Sequence, residues 1–228
     1  MGVVIPFTKP LIADKQLEFI TAAQATTHVW GDGPFTRGCQ ALLSNLHSGV
    51  GSLLTASGTA ALEMAALLSK LQPGDEVILP SFTFVSTASA FVRVGAVPVF
   101  ADVEPSTLNV SLESVLELIT QRTRAIVLVH YAGVACDVDS FIDLCKKYDL
   151  VLIEDAAQGF DAFYKGAPLG SLGDFGCISF HGTKNVVCGE GGALLVRDHS
   201  GMDVAHTVWE KGTNRKAFVD GKVDKYTW

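Results

Sequence analysis

The chain has 228 residues, 48% of them hydrophobic and 18% charged, enough to bury a sizeable core in one large domain or two small ones. A formal net charge of -7 and a pI near 5.3 argue against a nucleic-acid partner, because no excess of Lys and Arg is present to neutralise phosphates. Mean hydropathy is positive at +0.32, yet the longest uncharged apolar runs, such as AIVLVHYAGVAC (125–136), are too short to span a bilayer and read better as buried parallel strands.

Along the chain, MGVVIPFTKP is apolar for only a few residues and lacks a basic region, so it is not a signal peptide. Gly2 is followed by Pro6 where a myristoylation signal places Ser or Thr. A helix is expected over Thr59–Leu71. After the PGD turn at 73–75 comes a strand, Val77–Pro80. GAV at 95–97 opens the next strand, Val97–Val103. Then follow a helix at Leu112–Thr120, a strand at Ala125–His130 and a helix at Val138–Tyr148. The last strands are Leu150–Glu154, Cys177–Phe180 and Ala193–Val196. This βαβ rhythm predicts an α/β three-layer sandwich, a mainly parallel sheet with helices on both faces. The last three strands are closely spaced, which leaves room for hairpins or an antiparallel strand. No internal repeat or low-complexity linker interrupts the pattern. The end, GTNRKAFVDGKVDKYTW, is polar and aromatic and has no evident packing partner, so the reading is of a chain cut short.

Cys39, Cys136, Cys145, Cys177 and Cys188 form no CxxC pair and are odd in number, as expected of reduced thiols in a cytosolic protein. The six histidines show no metal-ligand spacing, so no metal is expected. There is no G-x-S-x-G elbow, Walker A motif or G-x-G-x-x-G, which removes hydrolase, P-loop and dinucleotide readings.

The strongest local signal is Cys177-Ile-Ser-Phe-His-Gly-Thr-Lys184-Asn185, followed by Gly189-Glu-Gly-Gly192. A buried strand that delivers a lysine into a glycine-rich turn strips its ammonium of water and makes it a nucleophile suited to an aldehyde cofactor. An isolated lysine is ordinarily a solvated loop residue, so this one needs partners. Leu150-Val-Leu-Ile-Glu-Asp155-Ala-Ala-Gln158 supplies one, a strand ending in a carboxylate that suits a pyridine nitrogen; the alternative is that Glu154 or Asp155 caps a following helix. Thr55-Ala-Ser-Gly58-Thr59-Ala60 precedes a helix whose free N–H groups make a phosphate site, or else is a plain N-cap. Pro80-Ser-Phe-Thr-Phe84-Val-Ser-Thr87 places aromatic residues in a hydroxyl-rich loop, for stacking on a flat ring or for core packing.

These elements, in this order, resemble the DegT/DnrJ/EryC1/StrS sugar aminotransferases, pyridoxal-phosphate (PLP) enzymes of fold type I. The resemblance runs from IPFTKP to the last residue, through GDGPFTRGCQ (31–40), PGDEVILPSFTFVSTASAF (73–91), VHYAGVACD (129–137), EDAAQG (154–159), SFHGTKN (179–185) and GEGGALL (189–195). HYAGVACD, EKGTNR and DKYTW are most similar to the branch that makes dTDP-4-amino-4,6-dideoxygalactose from a 4-keto-6-deoxy sugar nucleotide with L-glutamate. The resemblance implies that Lys184 is the Schiff-base lysine and Asp155 the partner of the pyridinium nitrogen. It puts Gln158 near the ring hydroxyl, Phe84 on the ring face, and Gly58, Thr59 and Ser179 on the phosphate. It further implies a cytoplasmic homodimer acting in cell-surface polysaccharide biosynthesis. Related sugar dehydratases carry His in place of the lysine, so Lys184 favours transamination. Family members continue into a small C-terminal domain, so residues 1–228 correspond to the PLP-binding large domain, with most of the sugar-nucleotide half of the site elsewhere. The rival expectations are an inactive fragment or pseudoenzyme, a PLP-dependent sugar dehydratase, and a binding module without cofactor.

Overall fold

The computed structural model describes residues 5–6, 8–11, 13–28 and 30–227; Gly2, and Phe7 and Trp228 of the motifs above, lie outside them. Two helices, α1 (Gln16–Ala25) and α2 (Pro34–Leu46), lead into β1 (Gly51–Thr55) and α3 (Gly58–Leu68). Then come β2 (Glu76–Pro80), α4 (Ser86–Val92), β3 (Val97–Ala101), α5 (Leu112–Leu118), β4 (Thr123–Val129), α6 (Val138–Tyr148) and β5 (Val151–Asp155). A two-stranded hairpin, β6 (Phe163–Tyr164) and β7 (Ala167–Pro168), precedes β8 (Phe175–Ser179) and β9 (Gly192–Val196). Two helices close the described chain, α7 (Met202–Trp209) and α8 (Arg215–Val219).

The seven-stranded sheet has the order β1-β9-β8-β5-β4-β2-β3. Strand β9 runs antiparallel to both its neighbours, and the remaining pairs are parallel. The sheet is buried on both faces, which is why its strands read as near-continuous apolar runs: Val77, Ile78, Leu79, Ile126, Val127, Leu128 and Ile153 have essentially no exposure. On one face α3 lays Ala61, Leu62, Ala65 and Ala66 against Leu53, Ile153 and Leu194; on the other α6 packs Phe141 and Leu144 onto Ile126 and Leu128. The expected α/β three-layer sandwich with a mainly parallel sheet is the observed architecture, and it is the large-domain fold of the PLP-dependent transferases of fold type I.

Several expected boundaries move. The helix placed at Thr59–Leu71 ends at Leu68, because Lys70 takes a left-handed conformation (φ 54°) that no α-helix continues through. The C-terminal stretch was expected to lack packing partners. Instead Asn214 holds Thr227 through backbone and side chain (3.0 and 2.7 Å) and bonds the Lys225 carbonyl at 2.8 Å, while Arg215 pairs with buried Glu210 at 2.9 Å. Polar ties of this kind leave no trace in a hydrophobic pattern.

His47, 2% exposed at the end of α2, donates from Nδ1 to the Leu43 carbonyl at 2.9 Å, while its Nε2 is buried without a partner. Burial lowers its pKa below the usual value, so the folded chain takes up this proton less readily than the unfolded one. Its contribution to stability is therefore fully present above about pH 6.5, the unfolded value, and is lost as pH falls toward the lower folded value. Melting temperatures from pH 8 to pH 5 should fall more steeply for the wild type than for His47→Gln. Parallel profiles would show that burial of this ring carries no protonation cost.

Candidate active site

Because β1, β2, β4, β5 and β8 run parallel, their C-terminal ends meet along one edge, where ligands of open α/β sheets bind. A cavity of about 340 Å³ opens there. Its lining includes Gly58 and Thr59 from the start of α3, Phe84 from the loop after β2, Asp155 from β5, Ser179 from β8 and Lys184 from the turn that follows. Six of the seven residues expected in the site thus border one space. The seventh, Gln158, lies apart from this lining: its Oε1 accepts from the Ala132 amide at 2.6 Å and supports a left-handed turn (Ala132 φ 53°).

Asp155 closes β5, where alternation sends Asp155 and Glu154 to opposite sides of the strand. Its Oδ1 accepts from the Ala157 amide at 3.2 Å and its Oδ2 from the Thr87 hydroxyl at 2.6 Å. Burial pushes the Asp155 carboxyl above its usual range, opposed by the Thr87 and Ala157 hydrogen bonds and by the charge of Lys184. Such a carboxylate is well matched to a cation placed in the cavity. β5 leads into turns and the β6–β7 hairpin rather than into a helix, so neither carboxylate is the helix cap weighed from sequence.

Lys184 lies in a turn beyond the end of β8 rather than at the strand end itself, half-buried, its amide bonded to the His181 carbonyl at 2.9 Å. Its Nζ makes no hydrogen bond or ion pair to a described residue, which leaves the amine available to a ligand. His181 stands beside it with Nδ1 held by the Thr183 hydroxyl (2.9 Å) and amide (3.2 Å), and Nε2 3.5 Å from Glu190.

The end of the cavity at the start of α3 is built from glycine. Ser57 caps α3 by accepting from the Ala60 amide at 3.1 Å, while the first N–H groups of the helix have no partner inside it. Gly192 faces both Thr55 and Ser179 across β9, directly beneath this helix start; a Cβ on Gly192 would come within 2.5 Å of the Ser57 carbonyl carbon and 2.6 Å of the Gly58 nitrogen. A Cβ on Gly58 would approach the Ser179 Cβ to 2.9 Å. The Thr59 hydroxyl bonds Ser86 at 2.7 Å. Phe84 is 72% exposed, its ring at the cavity wall rather than in the core.

Sequence reasoning missed Thr87, Ser86 and the pair His130–Glu154. Glu154 is fully buried and accepts from His130 Nε2 (2.8 Å) and from the amides of Gly170 (2.9 Å), Leu172 (2.7 Å) and Gly173 (2.7 Å). His130 Nδ1 accepts from the Cys136 amide at 3.2 Å, so its proton sits on Nε2 and is given to Glu154. Among the described residues no group of three or more His, Cys, Asp or Glu is placed to hold a metal, and no helix is long and apolar enough to cross a membrane.

The model of the DegT/DnrJ/EryC1/StrS aminotransferase family matches residues 11–224. Among similar proteins, MosB of Rhizobium meliloti is 42% identical over 142 residues, 62% of this chain and 28% of that protein. The spore coat polysaccharide biosynthesis protein SpsC of Bacillus subtilis (strain 168) is 33% identical over 94% of this chain and 55% of its own length. A GDP-perosamine synthase of Caulobacter vibrioides is 34% identical over 85% of this chain and 52% of its own. The chain thus spans about half the length, or less, of these relatives. Among solved structures, an aminotransferase from Psychrobacter cryohalolentis superposes with a TM-score of 0.90 at 30% identity, covering 98% of this chain and 57% of that one. The PLP form of the sugar aminotransferase Spr1654 from Streptococcus pneumoniae gives 0.83 at 27% identity, covering 98% and 60%. The cavity at the sheet edge, the motifs that line it and a family match over nearly the whole length lead to one assignment: the chain belongs to the DegT/DnrJ/EryC1/StrS aminotransferase family.

Proposed function

We propose that the chain is the cofactor-binding large domain of an enzyme that uses PLP to move the amino group of L-glutamate onto C4 of a nucleotide-linked 4-keto-6-deoxy sugar. The product is dTDP-4-amino-4,6-dideoxygalactose, made by a cytoplasmic homodimer for cell-surface polysaccharide. The observation that carries the reading is the single cavity shared by a buried carboxylate, Asp155, a lysine amine, Lys184, that hydrogen-bonds no described residue, and an open helix start at Gly58 and Thr59. The residues fit the cofactor. Gly58 and Gly192 let the start of α3 pack closely on Ser179 and β9, which brings its open N–H groups to the cavity; Asp155 is buried and in need of a cation, and about 340 Å³ lies within the usual range of ligand sites, roughly 300–1,000 Å³. HYAGVACD, EKGTNR and DKYTW support the sugar, and the relatives named for perosamine and spore coat polysaccharide support the setting. Exposed Leu17, Phe19 and Phe100 supply apolar surface suited to a second subunit or a further domain.

When bound, PLP supplies an aldehyde that condenses with amines and a protonated ring that accepts electrons from the carbon losing its proton. In this reading Gly58, Thr59 and Ser179 would hold the phosphate, Phe84 would cover the ring face and Asp155 would keep the ring nitrogen protonated, while Gln158, apart from the cavity lining, would reach the ring hydroxyl only on leaving the Ala132 amide. Lys184 Nζ would hold the aldehyde carbon; as a free amine the same Nζ would accept the proton leaving the amino acid's Cα and later donate one to C4 of the sugar, as base and then acid.

Borohydride reduction of the PLP-loaded protein followed by mass spectrometry should place the pyridoxyl group on Lys184. A label on Lys211 or another lysine would sink the assignment. Product analysis separates amination from sugar dehydration.

A further inference from the structure

Asp155 is held from the cavity's far side by a run of hydroxyls that the cofactor reading does not use. Thr87, in the first turn of α4, has no exposure, and its Oγ1 lies 2.6 Å from Asp155 Oδ2 and 2.7 Å from Thr83 Oγ1. A hydroxyl has one proton. With Asp155 ionised its oxygens only accept, so Thr87 must give that proton to Oδ2, and Thr83 must give its own to Thr87. The other oxygen, Oδ1, is fixed by the Ala157 amide at 3.2 Å. Each carboxylate oxygen therefore has one committed donor from a different element, which fixes the plane of the group and leaves its remaining lone pairs to the cavity.

We propose that Thr87 is a positioning residue for Asp155, and that the chain Thr83 to Thr87 to Asp155 holds this carboxylate ionised and correctly turned before any cofactor arrives. The proposal rests on the assignment of Asp155 given above. Its physical content is the offset of a burial penalty. A carboxylate this deeply buried is driven toward its neutral form, and a short, charge-assisted hydrogen bond from a fixed hydroxyl opposes that drive. The other groups able to influence Asp155 are Lys184 from the turn after β8, His130 from the end of β4, Cys177 opposite it on β8 and Glu154 beside it on β5. All four are unchanged by a substitution at Thr87. Thr83 sits in the loop that also carries Phe84, so the same loop supplies the first donor of the chain and an aromatic wall of the cavity.

The test is a pH titration of the cofactor-free protein, following the infrared carbonyl band of the protonated buried acid and identifying it by its loss in Asp155→Asn. Thr87→Val keeps the shape and removes the hydroxyl; it should raise the Asp155 midpoint by about one pH unit, the size expected when a hydrogen bond to a charged group is lost. Thr87→Ser, which keeps a hydroxyl, should stay near the wild type. Should Thr87→Val fail to fold, Thr83→Val leaves the buried hydroxyl in place and should move the midpoint in the same direction by less. PLP affinity measured by absorbance titration should follow the same order, wild type, then Thr87→Ser, then Thr87→Val. An unshifted midpoint in both valine variants, or equal shifts in Thr87→Ser and Thr87→Val, would overturn the proposal. The infrared midpoint needs no cofactor, so it can fail while the Lys184 label succeeds, and the reverse.

Discussion

Asp155→Asn, built into the longer enzyme proposed above, is expected to lower transamination roughly 100- to 1,000-fold, the usual loss for one preorganised electrostatic contact at a reacting centre. The amide is nearly the same size, and its oxygen can still accept from Thr87 or from the Ala157 amide, so the fold and some cofactor uptake should survive. What disappears is the negative charge. A neutral amide cannot hold a proton on a pyridine nitrogen, and without that proton the ring is a poor sink for the electrons left when the amino acid's Cα is deprotonated. The loss should appear in the turnover number for both half-reactions, since in each the ring must take up the electrons of a carbon that loses its proton. Glutamate-dependent amination under saturating substrates measures it. Turnover within a few-fold of the wild type would remove Asp155 from the role.

The sheet was legible because a parallel sheet covered on both faces writes itself as apolar runs, and Val77–Pro80, Ala125–His130 and Ala193–Val196 each fall within a residue or two of an observed strand. Strand β1 was missed because Gly51-Ser-Leu-Leu-Thr is short and has little β-branched content, although it pairs along its whole length with β9. Helix α2 was missed for a related reason: Gly38 interrupts it and a single residue, Leu43, is buried. In the site, the residues found were those whose chemistry is unusual for their position, a strand-end acid and a lysine in a glycine-rich turn. Thr87 and His130 were missed because a threonine after a serine, or a histidine after an apolar run, is ordinary in sequence. Their roles exist only through partners 68 and 24 residues away. Glu154 was read as a possible cap, when its side chain in fact gathers the loop at 170–173.

That loop is where the largest loss of stability is expected. Glu154→Ala should destabilise the protein by about 3–5 kcal/mol, the range for breaking a buried charged network by removing one member. The carboxylate is fully buried and satisfies four donors at once: the His130 ring and the amides of Gly170, Leu172 and Gly173. Alanine leaves all four without a partner in a space closed to water. Glu154→Gln should recover only part of the loss, because its NH₂ group turns a donor toward N–H groups that need an acceptor. His130→Phe keeps the acceptor for the three amides but leaves the Cys136 amide without its ring partner, so it should cost less than Glu154→Ala without being neutral. The network also sets a pH dependence. Burial works to raise the Glu154 pKa, but the His130 hydrogen bond and the Gly173 and Gly170 amides more than offset it, and the net shift is downward. The stabilisation is therefore present above the unfolded value near pH 4.3 and is lost as pH falls toward the lower folded one. Denaturant unfolding at pH 7 and at pH 4 measures both effects. A change below about 1 kcal/mol for Glu154→Ala at pH 7, the scale of one ordinary hydrogen bond, would show that the loop holds itself without this carboxylate.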